Sequence, residues 1–312
     1  MKHYYNIKDT ANFKSLVERG VRMRKGEEQD HSMGEGKTLV IVFFSPSLRT
    51  RISTHKAGLN LGMQVISMNA GDGYQMEFEL GTIMDGNTAE HIKEASKVLS
   101  QYGDMIAVRA FPGLQSKEED LKDRVLKGLM AYATVPIINL ESCLHHPLQG
   151  LADAITIESY KKRDKPKVVL SWAPHVKALP LAVPISFAQA ATAMSYEFII
   201  THPKGHELPQ ELIGDAEVEY DQHKAFKGAD FIYAKSWSST VQYGKLSNDR
   251  SWIIDEAKMA LTNDAGFMHC LPIRRNVVAT DEVLDASTSL IYEEAGNRVH
   301  AAQSVIKELL ME

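Results

Sequence analysis

Cysteine is scarce in this chain: Cys143 and Cys270 are the only two in 312 residues. Two cysteines exclude a disulfide framework and suit free thiols in a reducing compartment. No segment approaches the roughly 18 consecutive apolar residues of a membrane span. The opening MKHYYNIKDT also has no apolar stretch of the kind a secretory leader carries. The expectation is a soluble chain that stays in the cytoplasm. Excess positive charge is missing as well. A net charge of −5 and a pI near 6.2 give no electrostatic reason to expect nucleic acid or a membrane surface as partner. An anionic substrate would need a local cluster of cations. Repeats, low-complexity tracts and long linkers are absent too.

What is present is ordinary globular composition, 44% hydrophobic and 24% charged, in a chain long enough for two domains of about 150 residues each. Short apolar, β-branched runs predict strands at Thr38–Phe44, Met63–Met68, Met105–Phe111, Val135–Leu140, Val168–Trp172, Glu197–Thr201, Asp230–Ala234 and Gly266–Leu271. Their consecutive apolar residues suit parallel strands covered on both faces. Helical patterns fill the gaps at Arg51–Leu61, Ala89–Gln101, Glu118–Ala131, Leu148–Lys162, Val183–Met194 and Glu256–Thr262, with a last amphipathic helix at Asn297–Leu310. The fold class is α/β, with about four strands in each half and a crossing near His146 and Gly150. In open parallel sheets ligands bind beyond the carboxyl ends of the strands.

The notable motifs fall at such ends. In FFSPSLRTRIS, Phe43 to Ser53, a strand gives way to a turn at Ser45-Pro46 and a helix opening around Ser47–Thr50. Backbone N–H groups, the hydroxyls of Ser47 and Thr50, and the guanidiniums of Arg49 and Arg51 compose an oxyanion site. The plainer alternative is a serine N-cap followed by solvated arginines. Arg109 ends an apolar run, where a charge either pairs with a carboxylate or faces a ligand. In HHPLQ, His146 and Gln149 lie three apart on one helix face. Zinc binding by Cys143, His145 and His146 fits poorly, because adjacent histidines do not easily reach one metal and nothing completes a tetrahedron. In MHCLPIRRN, Pro272 exposes preceding carbonyls and Arg274 and Arg275 follow. Cys270 as a covalent nucleophile would want a neighbouring base, and His269 is expected on the opposite face of the strand. Lys235 and Arg298 add two more late cations. Each motif alone is weak, but Arg49, Arg109, His146, Arg274 and Arg298 all fall after strands or at helix starts.

Three elements then carry a resemblance: Ser47-Leu48-Arg49-Thr50-Arg51 as S-x-R-T-R, His146-Pro147-Leu148-Gln149 as H-P-x-Q, and His269-Cys270-Leu271-Pro272 as H-C-L-P. In this order and spacing the chain resembles the aspartate/ornithine carbamoyltransferase family from about residue 35 onward. The resemblance implies residues 1–146 binding carbamoyl phosphate, with the C-terminal helix 291–312 packing back on them, and residues 147–290 binding the acceptor. It also implies a homotrimer with shared active sites, and neither metal nor organic cofactor. Carried over, Ser47, Leu48, Arg49 and Thr50 hold phosphate, and Thr50, Arg109 and His146 face the carbamoyl oxygen. Gln149 and the carbonyls of Cys270 and Leu271 meet the carbamoyl amino group, and Arg298 completes the pocket. Tyr74, where many relatives carry tryptophan, reaches in from the adjacent subunit.

The acceptor follows from one departure. Ornithine enzymes place an aspartate where this chain has Lys235, in Lys235-Ser236-Trp237-Ser238-Ser239. A lysine repels an α-ammonium and suits an acylated, uncharged α-nitrogen. Arg274, Arg275 and the segment SWAPHVKALPLAVP (Ser171 to Pro184) resemble the N-acylornithine branch, in which that segment threads a knot. Glu141, His175 and Leu271 join the acceptor pocket by the same match. In Asp85-Gly86-Asn87-Thr88-Ala89-Glu90-His91, acetyl-specific relatives carry glutamate at the position of Ala89 and succinyl-specific ones proline. Alanine leaves room for succinyl, with Arg274 as its carboxylate partner; the plainer reading makes Ala89 a helix-starting residue and leaves discrimination to Glu90. The alternatives are N-acetylornithine, plain ornithine, and a silent anion-binding paralogue.

Overall fold

The computed structural model describes residues 1–70, 75–239 and 241–311. Helix α1 (Phe13–Arg24) precedes β1 (Thr38–Phe43), α2 (Leu48–Asn60), β2 (Gln64–Asn69) and a small parallel pair, β3 (Gln75–Glu77) with β4 (Thr88–His91). Then come α3 (Ile92–Tyr102), β5 (Met105–Arg109), α4 (Lys117–Lys122), α5 (Arg124–Tyr132), β6 (Ile137–Glu141) and α6 (Pro147–Tyr160). The second half runs β7 (Lys167–Trp172), α7 (Ala182–Ala193), β8 (Glu197–Thr201), α8 (Gln210–Ile213), β9 (Glu217–Glu219), α9 (Gln222–Phe226), β10 (Phe231–Lys235), α10 (Glu256–Met259), β11 (Gly266–Met268), α11 (Asp281–Leu284) and α12 (Ile291–Met311). One parallel sheet has the order β2-β1-β5-β6, the other β11-β10-β7-β8-β9.

Side-chain alternation explains why both sheets are covered twice. In β1, Leu39, Ile41 and Phe43 enter one core while Val40 and Val42 enter another on the opposite face. In β7 and β10, Val168, Leu170, Phe231 and Tyr233 face one side; Val169, Ile232 and Ala234 face the other. Helix α6 joins the halves, since Leu148, Leu151 and Ile155 pack under the first sheet and Ile157 under the second. Helix α12 returns from the second sheet to lie against α1, α2 and α6.

The expected two-domain α/β architecture is present, with corrections. The helix expected over Glu118–Ala131 breaks at Asp123, whose backbone is left-handed (φ +46°) and whose carboxylate accepts from the Tyr5 hydroxyl at 2.7 Å. The last helix begins at Ile291 rather than Asn297, because its first turns bury the polar Glu294, Asn297 and Arg298 and so break the apolar period. The helix expected from Ala89 starts only at Ile92; Ala89 and Glu90 belong to β4. The strand expected over Gly266–Leu271 stops at Met268. Helix α1 escaped the sequence reading although Phe13, Leu16, Val17, Gly20 and Met23 bury one stripe.

Gly150 marks the tightest joint between α6 and α7. A Cβ there would meet the Ser186 carbonyl oxygen at 2.7 Å. Helix propensity favours Gly150→Ala by about 1 kcal/mol, but intrusion on a fixed backbone costs about 1–3 kcal/mol. The expected outcome is a net loss of up to about 2 kcal/mol in denaturant titration; a stabilised variant contradicts the close approach.

Candidate active site

A cleft of about 470 Å³ opens between the carboxyl ends of the two sheets. Its lining carries five cations, Arg49, Arg109, Lys235, Arg274 and Arg298, against one carboxylate, Glu141. Among the described residues no carboxylate lies within ion-pair distance of Arg49, Lys235, Arg274 or Arg298. In an acidic protein this is a site shaped for anions.

One end of the cleft is the first turn of α2. Ser47 takes the N-cap position but does not cap the helix; its hydroxyl donates to Thr50 Oγ1 at 2.9 Å. Arg298 Nη2, from α12, donates to the same oxygen at 2.6 Å. Thr50 Oγ1 therefore accepts twice, and its own proton is left for the cleft. The N–H groups of Leu48, Arg49 and Thr50 have no intrahelical acceptor. The Leu48 side chain is 69% exposed, so only its backbone can serve. Burial lowers the Arg298 guanidinium from its ordinary value, with Cys270 and Glu141 opposing. A buried guanidinium without a paired carboxylate is costly unless an anion arrives. Arg51 leaves the oxyanion site: it donates to Ser67 Oγ at 2.9 Å and to Asn69, and its guanidinium lies 4.2 Å from the Phe43 ring centre. Arg298 sits at the eighth residue of α12, not at a helix start.

The centre of the cleft joins Arg109, Glu141, His146 and Gln149. Of the two alternatives for Arg109, the carboxylate pairing is present, in a side chain that also lines the cleft. Its Nε and Nη2 reach Glu141 Oε2 at 3.0 and 2.8 Å, and Nη1 donates to Ser45 and Pro46, which leaves one Nη2 proton for a ligand. Burial and the neighbouring Arg298, Arg109 and Lys235 hold His146 well below its ordinary value, so its imidazole is neutral. Gln149 Nε2 donates to Asp153 at 2.7 Å and Glu294 at 3.0 Å, leaving a buried Oε1 with no partner. After β11, the turn at Cys270-Leu271 brings both residues to the lining, with Leu271 at φ +49°, a strained backbone of the kind found at functional sites. His269 lies in this turn, not on a strand face, and its Nδ1 accepts the Leu271 N–H at 2.9 Å.

The far side holds His175, Lys235 and Arg274 with Phe111, Leu179, Val183, Pro272 and Ile273. Arg275 turns away into ion pairs with Asp281 and Asp285. Of the residues expected from sequence, Ser47, Arg49, Thr50, Arg109, Glu141, His146, Gln149, His175, Lys235, Cys270, Leu271, Arg274 and Arg298 line one cleft. Ala89 and Glu90 do not, because β4 carries them outside it. Tyr74 lies outside the described residues. The apolar liners and the carboxyls Asp153 and Glu294 escaped the sequence reading. Their signal was spacing: Asp153 follows Gln149 by four, and Glu294 precedes Arg298 by four.

Known proteins resemble this chain over nearly its whole length. Residues 2–159 match the aspartate/ornithine carbamoyltransferase carbamoyl-P binding domain, and residues 182–309 match the Asp/Orn binding domain. The N-succinylornithine carbamoyltransferase of Bacteroides fragilis (strain 638R) is 46% identical over 99% of both chains. The N-acetylornithine carbamoyltransferase of Xanthomonas campestris pv. campestris is 36% identical, over 99% of this chain and 98% of that one. A solved glutamate-to-valine mutant of N-acetyl-L-ornithine transcarbamylase, complexed with carbamyl phosphate and N-succinyl-L-norvaline, superposes with a TM-score of 0.93 at 36% identity, over 99% of this chain and 100% of that one. With both domains matched and the cleft cations falling on the elements that the motifs mark, the chain belongs to the aspartate/ornithine carbamoyltransferase family and is an enzyme of that class.

Proposed function

We propose that this enzyme moves the carbamoyl group of carbamoyl phosphate onto the δ-amine of an Nα-acylated ornithine, giving an N-acylcitrulline and phosphate in arginine biosynthesis, in the cytoplasm. The observation that carries the acceptor class is Lys235: it lines the cleft with His175 and Arg274 and has no carboxylate partner among the described residues. A cation there repels an α-ammonium and tolerates a neutral amide. The relatives named for N-succinylornithine and N-acetylornithine support the same reading.

The chemistry follows from the donors. An alkylammonium has an ordinary pKa near about 10.4, and the cations around it favour the neutral amine that attacks. Charge developing on the carbamoyl oxygen meets the free Nη2 proton of Arg109, the Thr50 hydroxyl and the neutral imidazole of His146, donors fixed before reaction. Phosphate departs toward the first turn of α2, Arg49 and Arg298, and takes the proton of the attacking amine. Holding two substrates in line supplies most of the rate.

Two further parts belong to this reading. One is a homotrimer with shared sites. Leu48, Ile52 and Leu59 on α2 and Ile66 and Met68 on β2 are exposed apolar side chains, 40–69%, clustered in the same domain as the phosphate end. The other is the acyl group, for which N-succinylornithine is favoured. Ala89 is exposed on β4, outside its own cleft, so its proposed role is in a neighbouring subunit, along with Glu90 and the Tyr74 loop. The knotted passage of the Ser171–Pro184 segment and a division at residues 146 and 147 complete the assignment.

Mixing Arg49→Ala chains with chains altered at Tyr74 should restore part of the activity that each lacks alone, because some shared sites receive two intact contributions. No recovery in a proven hetero-oligomer contradicts shared sites. Ala89→Glu sets a like charge against succinyl's extra carboxylate, on the order of 1–4 kcal/mol. It should shift the kcat/KM ratio toward N-acetylornithine by at least about tenfold. An unchanged ratio removes Ala89 from the specificity site.

A further inference from the structure

Behind the cleft lies a pair of buried carboxyls that the transfer step does not use. Asp153 on α6 is 1% exposed and Glu294 on α12 is fully buried. Both receive the Gln149 amide nitrogen, at 2.7 Å to Asp153 Oδ1 and 3.0 Å to Glu294 Oε1. The second oxygen of Glu294 accepts the His269 N–H at 2.8 Å, and the His269 ring in turn accepts the Leu271 N–H. One carboxyl thus braces two things: the amide of Gln149 and the turn that bears the carbonyls of Cys270 and Leu271. Among the described residues neither of those carbonyls accepts a hydrogen bond, and Gln149 Oε1 accepts none. Burial raises both acids above the ordinary carboxylate range, Glu294 further through Asp153, which favours their protonated forms.

The two ends of a glutamine amide are nearly the same size, so packing does not choose between them. The acceptor oxygens of the pair do, by drawing the NH₂ toward themselves. We propose that Asp153 and Glu294 are positioning residues that hold the Gln149 carbonyl toward the cleft, so that the site selects carbamoyl phosphate over the methyl-bearing acetyl phosphate. The inference rests on the reading that Gln149 and the Cys270 and Leu271 carbonyls receive the carbamoyl amino group. That group brings protons to these oxygens. A methyl group of similar size brings none and leaves buried acceptors unpaired.

Glu294→Gln keeps the volume and reverses the polarity. The His269 N–H holds the new amide oxygen, so the new NH₂ faces Gln149, whose amide must turn over and present its own NH₂ to the cleft. The selectivity measured is the Ki for acetyl phosphate divided by the KM for carbamoyl phosphate. It should fall at least about tenfold, while the Ki for inorganic phosphate and the KM for the N-acylornithine stay within about twofold. Asp153→Asn, which leaves the Glu294–His269 bond in place, should lower selectivity in the same direction and serves if Glu294→Gln does not fold. Unchanged selectivity in a folded variant, or a phosphate Ki that worsens as much as the carbamoyl phosphate KM, overturns the positioning role. A wild-type enzyme that binds acetyl phosphate as tightly as carbamoyl phosphate overturns the reading of Gln149 as well.

Discussion

The hydrogen bond from Arg298 to Thr50 is the constraint around which the cleft is organised. It ties the last helix to the first turn of α2 across 248 residues of sequence, at 2.6 Å and out of water. A guanidinium in that position has no paired carboxylate among the described residues. The fold tolerates it by placing Glu141 nearby and by leaving α2 uncapped, so that the same anion can satisfy the helix N-terminus and the arginine together. Helix α12 crosses back over the first domain, and of the polar residues that break its apolar period Arg298 lines the cleft and Glu294 accepts from Gln149.

Charge in the cleft is graded. At the α2 end Arg49 and Arg298 have no carboxylate partner among the described residues. Arg109 is neutralised by Glu141 and held by Ser45 and Pro46, so it offers one directed proton more than a loose charge. His146 is kept neutral by burial beside cations. On the opposite side Lys235 and Arg274 have no carboxylate partner among the described residues.

Much of this was legible in the sequence, for physical reasons that also mark where legibility ended. Strands covered on both faces read as apolar runs, and β8 was placed to the residue, Glu197–Thr201. Cations after such runs, together with the resemblance, pointed to thirteen residues that share one cleft. What failed was wherever a long-range bond overrode local pattern. Asp123 breaks a helix because Tyr5, 118 residues away, binds it there. Arg51 left the site because Phe43, Ser67 and Asn69 surround it. Ala89 looked helical by composition but falls in β4, at the irregularity in its pairing with β3. Asp153 and Glu294 were invisible as a pair, since nothing local brings residue 153 to residue 294.

The most direct measurement is citrulline-type product formation from carbamoyl phosphate with ornithine, N-acetylornithine and N-succinylornithine at equal concentration. The account predicts ureido product from the acylated amines, fastest with N-succinylornithine, and little or none from plain ornithine. Efficient carbamoylation of plain ornithine, or no product from any of the three, would contradict it.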